Sequence, residues 1–250
     1  MSEWLVQTKA LTVSFDGFRA LDALDFRLRP GELRVVIGPN GAGKTTLLDV
    51  ISGKVSPTTG EVLFNGRSIG GMRENRIANL GVGRKFQTPR IFINLTVREN
   101  LELFARPSKT VLGVLRERRA VHAATDDVLV MIGLQDKAAT RAGILSHGEK
   151  QWLEIGMVVA QDPILLLIDE PVAGMTDRET EKTAHLLRKL NADHTVVVIE
   201  HDMAFVRDIA QTVTVLHEGR MLCEGSVTDV QSDPRVAEVY LGRHAGETVH

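Results

Sequence analysis

Short apolar runs punctuated by glycine set the pattern of the chain. LRVVI at 33–37 leads into a glycine-rich loop, TTLLDVIS follows with helical spacing, and GEVLFNGRSI folds about Asn65-Gly66, a dipeptide that favours a hairpin turn. ILLLID at 164–169 and TVVVIE at 195–200 stay apolar until each ends in an acid. Continuous apolar strands of this kind belong to parallel sheets covered on both faces. Between roughly 95 and 144 the β-branched runs give way to helical patterns, including TVRENLELFA and the charged stretch from Arg116 to Met131. The pattern predicts one α/β domain over residues 1–250 with a helical subdomain inserted at about 88–157. No internal repeat or low-complexity segment interrupts it.

Composition narrows the partners. Apolar residues make up 43% of the 250, enough for a core that needs no covalent staples. The 30 basic and 32 acidic residues leave a net charge of −2, so no overall field draws the chain to nucleic acid or an anionic membrane. Cys223 is the only cysteine, which excludes an internal disulfide and a multi-cysteine zinc site; within VTVLHEGRMLCEG it reads as a structural strand residue in a reducing compartment. MSEWLVQTKALTVSF carries no basic segment followed by a long apolar run, so neither secretion nor a membrane span is expected.

The chemistry begins at GPNGAGKTT, residues 38–46, where Gly38, Gly43, Lys44 and Thr45 fit the phosphate-loop pattern between a strand and a helix. Gly38, Pro39, Asn40, Gly41, Ala42, Gly43, Lys44, Thr45 and Thr46 would wrap a phosphate, with backbone N–H groups from Gly41 to Thr46 at the positive end of the helix. Lys44 would reach the β- and γ-phosphates, and the Thr45 hydroxyl would ligate Mg²⁺. A glycine-rich turn with an incidental lysine is the alternative, and the flanking strand and helix count against it. Asp169 and Glu170 end a buried strand at the sheet edge where α/β folds bind ligands. Two adjacent acids usually make a solvated turn. Beside a phosphate loop, Asp169 could hold Mg²⁺ through water while Glu170 orients or deprotonates the attacking water. Kinases, GTPases, helicases and transport ATPases all share these two features.

LSHGE at 145–149 separates them, because its order resembles the signature motif of the ATP-binding cassette family. The resemblance covers essentially the whole chain and implies a phosphate-loop α/β core, an antiparallel β subdomain, the inserted helical subdomain, and ATP with Mg²⁺. It implies that the loop Ser146, His147, Gly148 and Glu149 presents the Ser146 hydroxyl and the Gly148 N–H to a γ-phosphate held by a second protomer. A hydrolase reading of Ser146-His147 fails, since loop neighbours lack triad geometry and no G-x-S-x-G is present. By the same resemblance Phe15 stacks on adenine, with Phe18 the weaker candidate. Gln87 reaches the metal and the attacking water, and His201 contacts the γ-phosphate and holds that water with Glu170.

Within the family, GVGRKFQTPRIF, TVRENL, EPVAGMTD and IEHDMAFV resemble ATPase subunits of branched-chain amino acid and amide importers, with the urea importer the nearest pattern. This implies permease subunits, a second ATPase subunit of the same or homologous kind, a periplasmic solute-binding protein, and a peripheral place on the cytoplasmic face of the inner membrane. No nucleic-acid partner is expected. Cassette ATPases of translation or DNA repair typically carry two cassettes or a long coiled coil, and a small GTPase needs an N-K-x-D motif that is absent here. Three positions depart from the family pattern: His147 in place of Gly, Glu149 in place of Gln, and Thr176 where an acid is usual, with Asp177 one residue later.

Overall fold

The antiparallel sheet at the start of the chain packs over one face of a larger mixed sheet, and helices cover the other face. The computed structural model describes residues 3–85, 91–105 and 114–241. Strands β1 (Val6–Phe15), β2 (Phe18–Leu28), β4 (Thr59–Phe64) and β5 (Arg67–Ser68) form the first sheet, in the order β2-β1-β4-β5. The hairpin between β4 and β5 turns at Asn65-Gly66, as the sequence predicts. The second sheet runs β10-β9-β3-β8-β7-β6, from β3 (Leu33–Ile37), β6 (Val82–Lys85), β7 (Leu165–Asp169), β8 (Thr195–Ile199), β9 (Thr212–His217) and β10 (Arg220–Gly225). All its pairings are parallel except β9 with β10.

Alternation explains the unbroken apolar runs. Val36, Leu165, Leu167, Val197 and Ile199 join one core with Leu11, Val13 and Phe26 of the antiparallel sheet and Leu47, Leu48 and Ile51 of α1 (Lys44–Ile51). Val35, Ile37, Leu166, Ile168, Val196 and Val198 face a second core built with α5 (His147–Val159), α6 (Asp177–Asn191) and α7 (Met203–Ile209). β3, β7 and β8 are therefore buried on both sides, which calls for apolar residues at nearly every position; Arg34, buried within β3, is held by Glu32, Thr214 and Glu224.

Between β6 and β7 lie α3 (Val97–Glu102), α4 (Val114–Met131) and α5, with the short α2 (Glu74–Asn79) before β6. Thr96 starts α3 through a capping box with Glu99, the polar start that TVRENL announces. Helices α8 (Val227–Ser232) and α9 (Pro234–Leu241) close the described chain. Among the described residues no helix is long and apolar enough to cross a membrane.

Candidate active site

β3 delivers the phosphate loop and α1 receives it. Gly43 caps α1 at φ 96°, and a Cβ there would stand 2.4 Å from the Ala20 carbonyl oxygen, so only glycine fits. No side chain caps α1 and no acid occupies its first turn, so its N–H groups face outward unchallenged by a local carboxylate. The Lys44 ammonium folds back over the loop, donating to the Gly38 carbonyl at 2.6 Å and the Pro39 carbonyl at 3.0 Å.

Thr45 and Asp169 come together across the sheet edge. The Thr45 hydroxyl donates to Asp169 Oδ2 at 3.3 Å, and Asp169 is only 1% exposed. Its other oxygen, Oδ1, has no hydrogen-bond partner among the described residues. A buried carboxylate oxygen left open beside a hydroxyl is the donor set a hard divalent cation takes, so these residues fit Mg²⁺. Burial raises the Asp169 pKa and the Glu170 charge adds to it, while Arg84, Thr45 and Lys85 pull it back.

Glu170 follows at φ 46°, a left-handed conformation that a non-glycine residue adopts only when its surroundings impose it. Its N–H donates to the Ile199 carbonyl at 3.0 Å, which fixes the turn. The side chain leaves the sheet and stands 3.9 Å from His201 Nδ1. His201 is placed in turn by Glu200, whose buried carboxylate accepts from the His201 N–H at 3.0 Å and the Val172 N–H at 3.4 Å. Burial raises the Glu200 pKa against those amide donors. Gly38, Pro39, Asn40, Glu170 and His201 line one cavity of about 330 Å³, with Val239 and Tyr240 of α9 as its far wall. Phosphate loop, acid and histidine thus share one space.

Ser146 caps α5, accepting from the Glu149 N–H, and Glu149 returns a bond to the Ser146 N–H. The departures from the family pattern each have a partner. Lys137 Nζ meets Glu149 Oε1 at 2.5 Å, so Lys137 offsets the charge at 149. Burial alone would raise the Glu149 carboxyl, yet Lys137 and the Ser146 amide hold it below its usual range. His147 Nε2 lies 3.0 Å from the Ala173 carbonyl, which ties this loop to the one after Glu170. Thr176 caps α6 through Glu179, so its hydroxyl has a structural task where an acid is usual.

Phe15 ends β1 at 47% exposure and Phe18 opens β2 at 63%, the two ends of one hairpin and both free to meet a flat ligand. Gln87 lies outside the described residues. Nothing in the sequence singles out Lys137, Glu179 or Tyr240, and Glu200 is legible there only as the acid that ends a strand. Sequence reasoning passed over Arg84 and Lys85, although two successive cations in the strand just before Gln87 were a visible signal.

Comparison with known proteins points the same way. The family profile described as "ABC transporter" matches residues 21–173, and the one described as "Branched-chain amino acid ATP-binding cassette transporter" matches 220–246. The chain is 36% identical to the high-affinity branched-chain amino acid transport ATP-binding protein LivG of Escherichia coli (strain K12), over 97% of this chain and 99% of that one. It superposes on the ADP conformation of MJ1267, an ATP-binding cassette of an ABC transporter, with a TM-score of 0.85 and 30% identity over 96% of this chain and 100% of that one. The dimeric post-hydrolysis state of the ATP-binding cassette MJ0796, bound to ADP and Pi, gives a TM-score of 0.75 and 26% identity over 89% and 98%.

Proposed function

The chain belongs to the ABC transporter family and is an ATPase of that family, and we propose that it drives an importer of branched-chain amino acids. The names of its relatives and the match at 220–246 favour that solute over urea, the resemblance carried by GRKFQTP, LSHGEKQWLEIGM and EPVAGMTD. The observation that carries the ATPase chemistry is the meeting of Thr45 with Asp169, which joins the phosphate loop to the acidic strand end.

In this mechanism Phe15 stacks on adenine, and the N–H groups from Gly41 to Thr46 hold the β- and γ-phosphates with Lys44. Thr45, Asp169 and Gln87 would hold Mg²⁺, which when bound neutralises charge developing on the phosphate oxygens. Glu170 orients water and takes its proton as the oxygen attacks the γ-phosphorus. The bond to the bridging oxygen breaks, giving ADP and phosphate. His201, steadied by Glu200, holds the water and γ-phosphate in line. Ser146 and Gly148 of a facing ATPase subunit complete the site, so ATP draws two protomers together and hydrolysis releases them.

Motion must reach the membrane. A groove of about 430 Å³ runs beside β6 between the core and the helical subdomain, walled by Ala78, Phe92, Phe104 and Met157 with Glu74 and Arg84 at its edges. It suits a short amphipathic segment of a permease subunit, and in this reading the chain works against the cytoplasmic face of the inner membrane with a periplasmic binding protein beyond. The helical subdomain at about 88–157 then carries the motion to Ser146. Lys44→Ala tests the site, since it should abolish ATP binding; full turnover would defeat the assignment. Proteoliposomes holding the cognate permeases test the solute, with ATP-driven uptake expected for leucine and not for urea.

A further inference from the structure

Lys85 is 3% exposed, an unusual place for an ammonium group, and the preceding Arg84 side chain is also buried. As successive strand residues they point to opposite faces of the sheet. Arg84 reaches Asp49 at 2.6 Å and the Ser52 hydroxyl at 2.8 Å, both at the C-terminal end of α1, the helix that starts in the phosphate loop. Lys85 Nζ reaches Glu154 Oε2 at 3.9 Å on α5, the helix that starts at Ser146, and Glu154 is itself 6% exposed.

β6 also touches the catalytic edge. It pairs in parallel with β7 so that Lys85 lies opposite Ile168, the residue before Asp169. Burial lowers the Lys85 pKa, and the Glu154, Asp169, Glu200 and Glu170 carboxylates act in the opposite direction. Two apolar side chains of similar volume would join β6 to α5 at no loss of stability, because desolvation cancels most of what a buried ion pair gains. What the pair adds is direction: one cation faces α5 from the strand position opposite Ile168, one residue short of Asp169 and within electrostatic reach of the carboxylates of the site. The same two residues line the groove beside β6.

Resting on the reading above, in which Ser146 and Gly148 close a partner's ATP site, we infer that Lys85 and Glu154 are positioning residues whose ion pair keeps α5 in register with the Asp169–Glu170 strand end. One protomer contributes its loop at 146–148 to one ATP site and its carboxylates to the other. The pair makes those two contributions move together, and a segment seated in the groove presses on both. Lys85 touches neither ATP nor water and acts through β6 and Asp169.

The test is the double variant Lys85→Met/Glu154→Met, which removes both charges, keeps the buried volume and leaves no orphan charge. With ATP Kd and KM within about twofold of the parent, kcat should fall about tenfold or more, a split that a merely structural pair does not produce. The swapped variant Lys85→Glu/Glu154→Lys restores the pair but sets an anion within electrostatic reach of Asp169, so its kcat stays low; rescue by the swap would reduce the pair to a structural tie and overturn the inference. Parental kcat in the double variant also overturns it. If the double variant does not fold, Glu154→Gln decides: a loss of about threefold or more in kcat at unchanged Kd supports the inference, and parental kcat defeats it. Lys44→Ala measured alongside keeps the two readings apart, because its retained turnover would sink the ATP site itself whatever the variants at 85 and 154 do.

Discussion

The Ser146 hydroxyl lies 3.4 Å from the Glu179 carboxylate, which joins the loop that starts α5 to the loop that starts α6. Glu179 also closes the capping box with Thr176, and a Cβ on Gly148 would stand 2.5 Å from its Oε1. In the proposed shared site a γ-phosphate held by a second protomer would meet this carboxylate beside Ser146 and Gly148, and like charge would oppose it. Glu179→Gln keeps the shape and removes the charge. In a Glu170→Gln background the ATP-dependent dimer should tighten by about threefold or more, at a stability cost below about 1 kcal/mol for the weakened cap. Light scattering against protein concentration checks the first figure and urea unfolding the second; a weaker dimer would mean that Glu179 assists the clamp.

Lys137 neutralises Glu149 beside the same loop. The pair is partly exposed, so Lys137→Ala should shift the melting temperature by only about 1–2 °C while weakening ATP-dependent dimerisation. Adding Glu149→Gln should restore the dimer, because the uncompensated charge is then gone. If the double variant dimerises as poorly as Lys137→Ala alone, Lys137 acts on the dimer by some route other than Glu149.

Asp169 carries a cost that function explains. Its folded pKa is raised above the ordinary 3.8, so the folded chain binds more protons than the unfolded chain across that window and stability falls as pH rises through it. Asp169→Asn removes the buried charge. At pH 7 the nucleotide-free variant should gain about 1 kcal/mol, and the gain should shrink as pH falls towards the carboxylate range. Mg²⁺-dependent hydrolysis should be lost in the same protein. Denaturant melts at several pH values decide it, and a variant less stable than the parent at pH 7 would contradict this description of the site.

Phe15 and Phe18 face one another at the ends of β1 and β2, and only one need meet adenine. Phe15→Ala should weaken ATP binding about tenfold, a loss of the size aromatic stacking on a base provides, while Phe18→Ala stays within about twofold. Nucleotide titration of the two variants separates them. The reverse order would move the adenine contact to Phe18.

The parallel sheet was legible because two unbroken apolar runs, ILLLID and TVVVIE, admit no half-buried strand, and the phosphate loop because its spacing and its flanking elements agree. Asp169 and Glu170 could be read from the strand end. What escaped depends on contacts between residues far apart in the chain. Nothing near Glu149 announces Lys137 as its partner, and nothing near Thr176 announces that Glu179 also meets Ser146. The Lys85–Glu154 pair joins a strand residue before the helical insertion to a helix residue near its end, and it becomes visible only when α5 is laid against β6. The His147 departure likewise acquires a meaning only from the Ala173 carbonyl beside it.

If two ATPase subunits share each ATP site, light scattering of Glu170→Gln with and without Mg-ATP shows it at first hand. The mass should double on adding Mg-ATP and return to that of the monomer with EDTA, and the Lys44→Ala/Glu170→Gln chain should stay monomeric with Mg-ATP present. A Glu170→Gln chain that binds ATP yet stays monomeric, both alone and mixed with the second ATPase subunit of its importer, would contradict it.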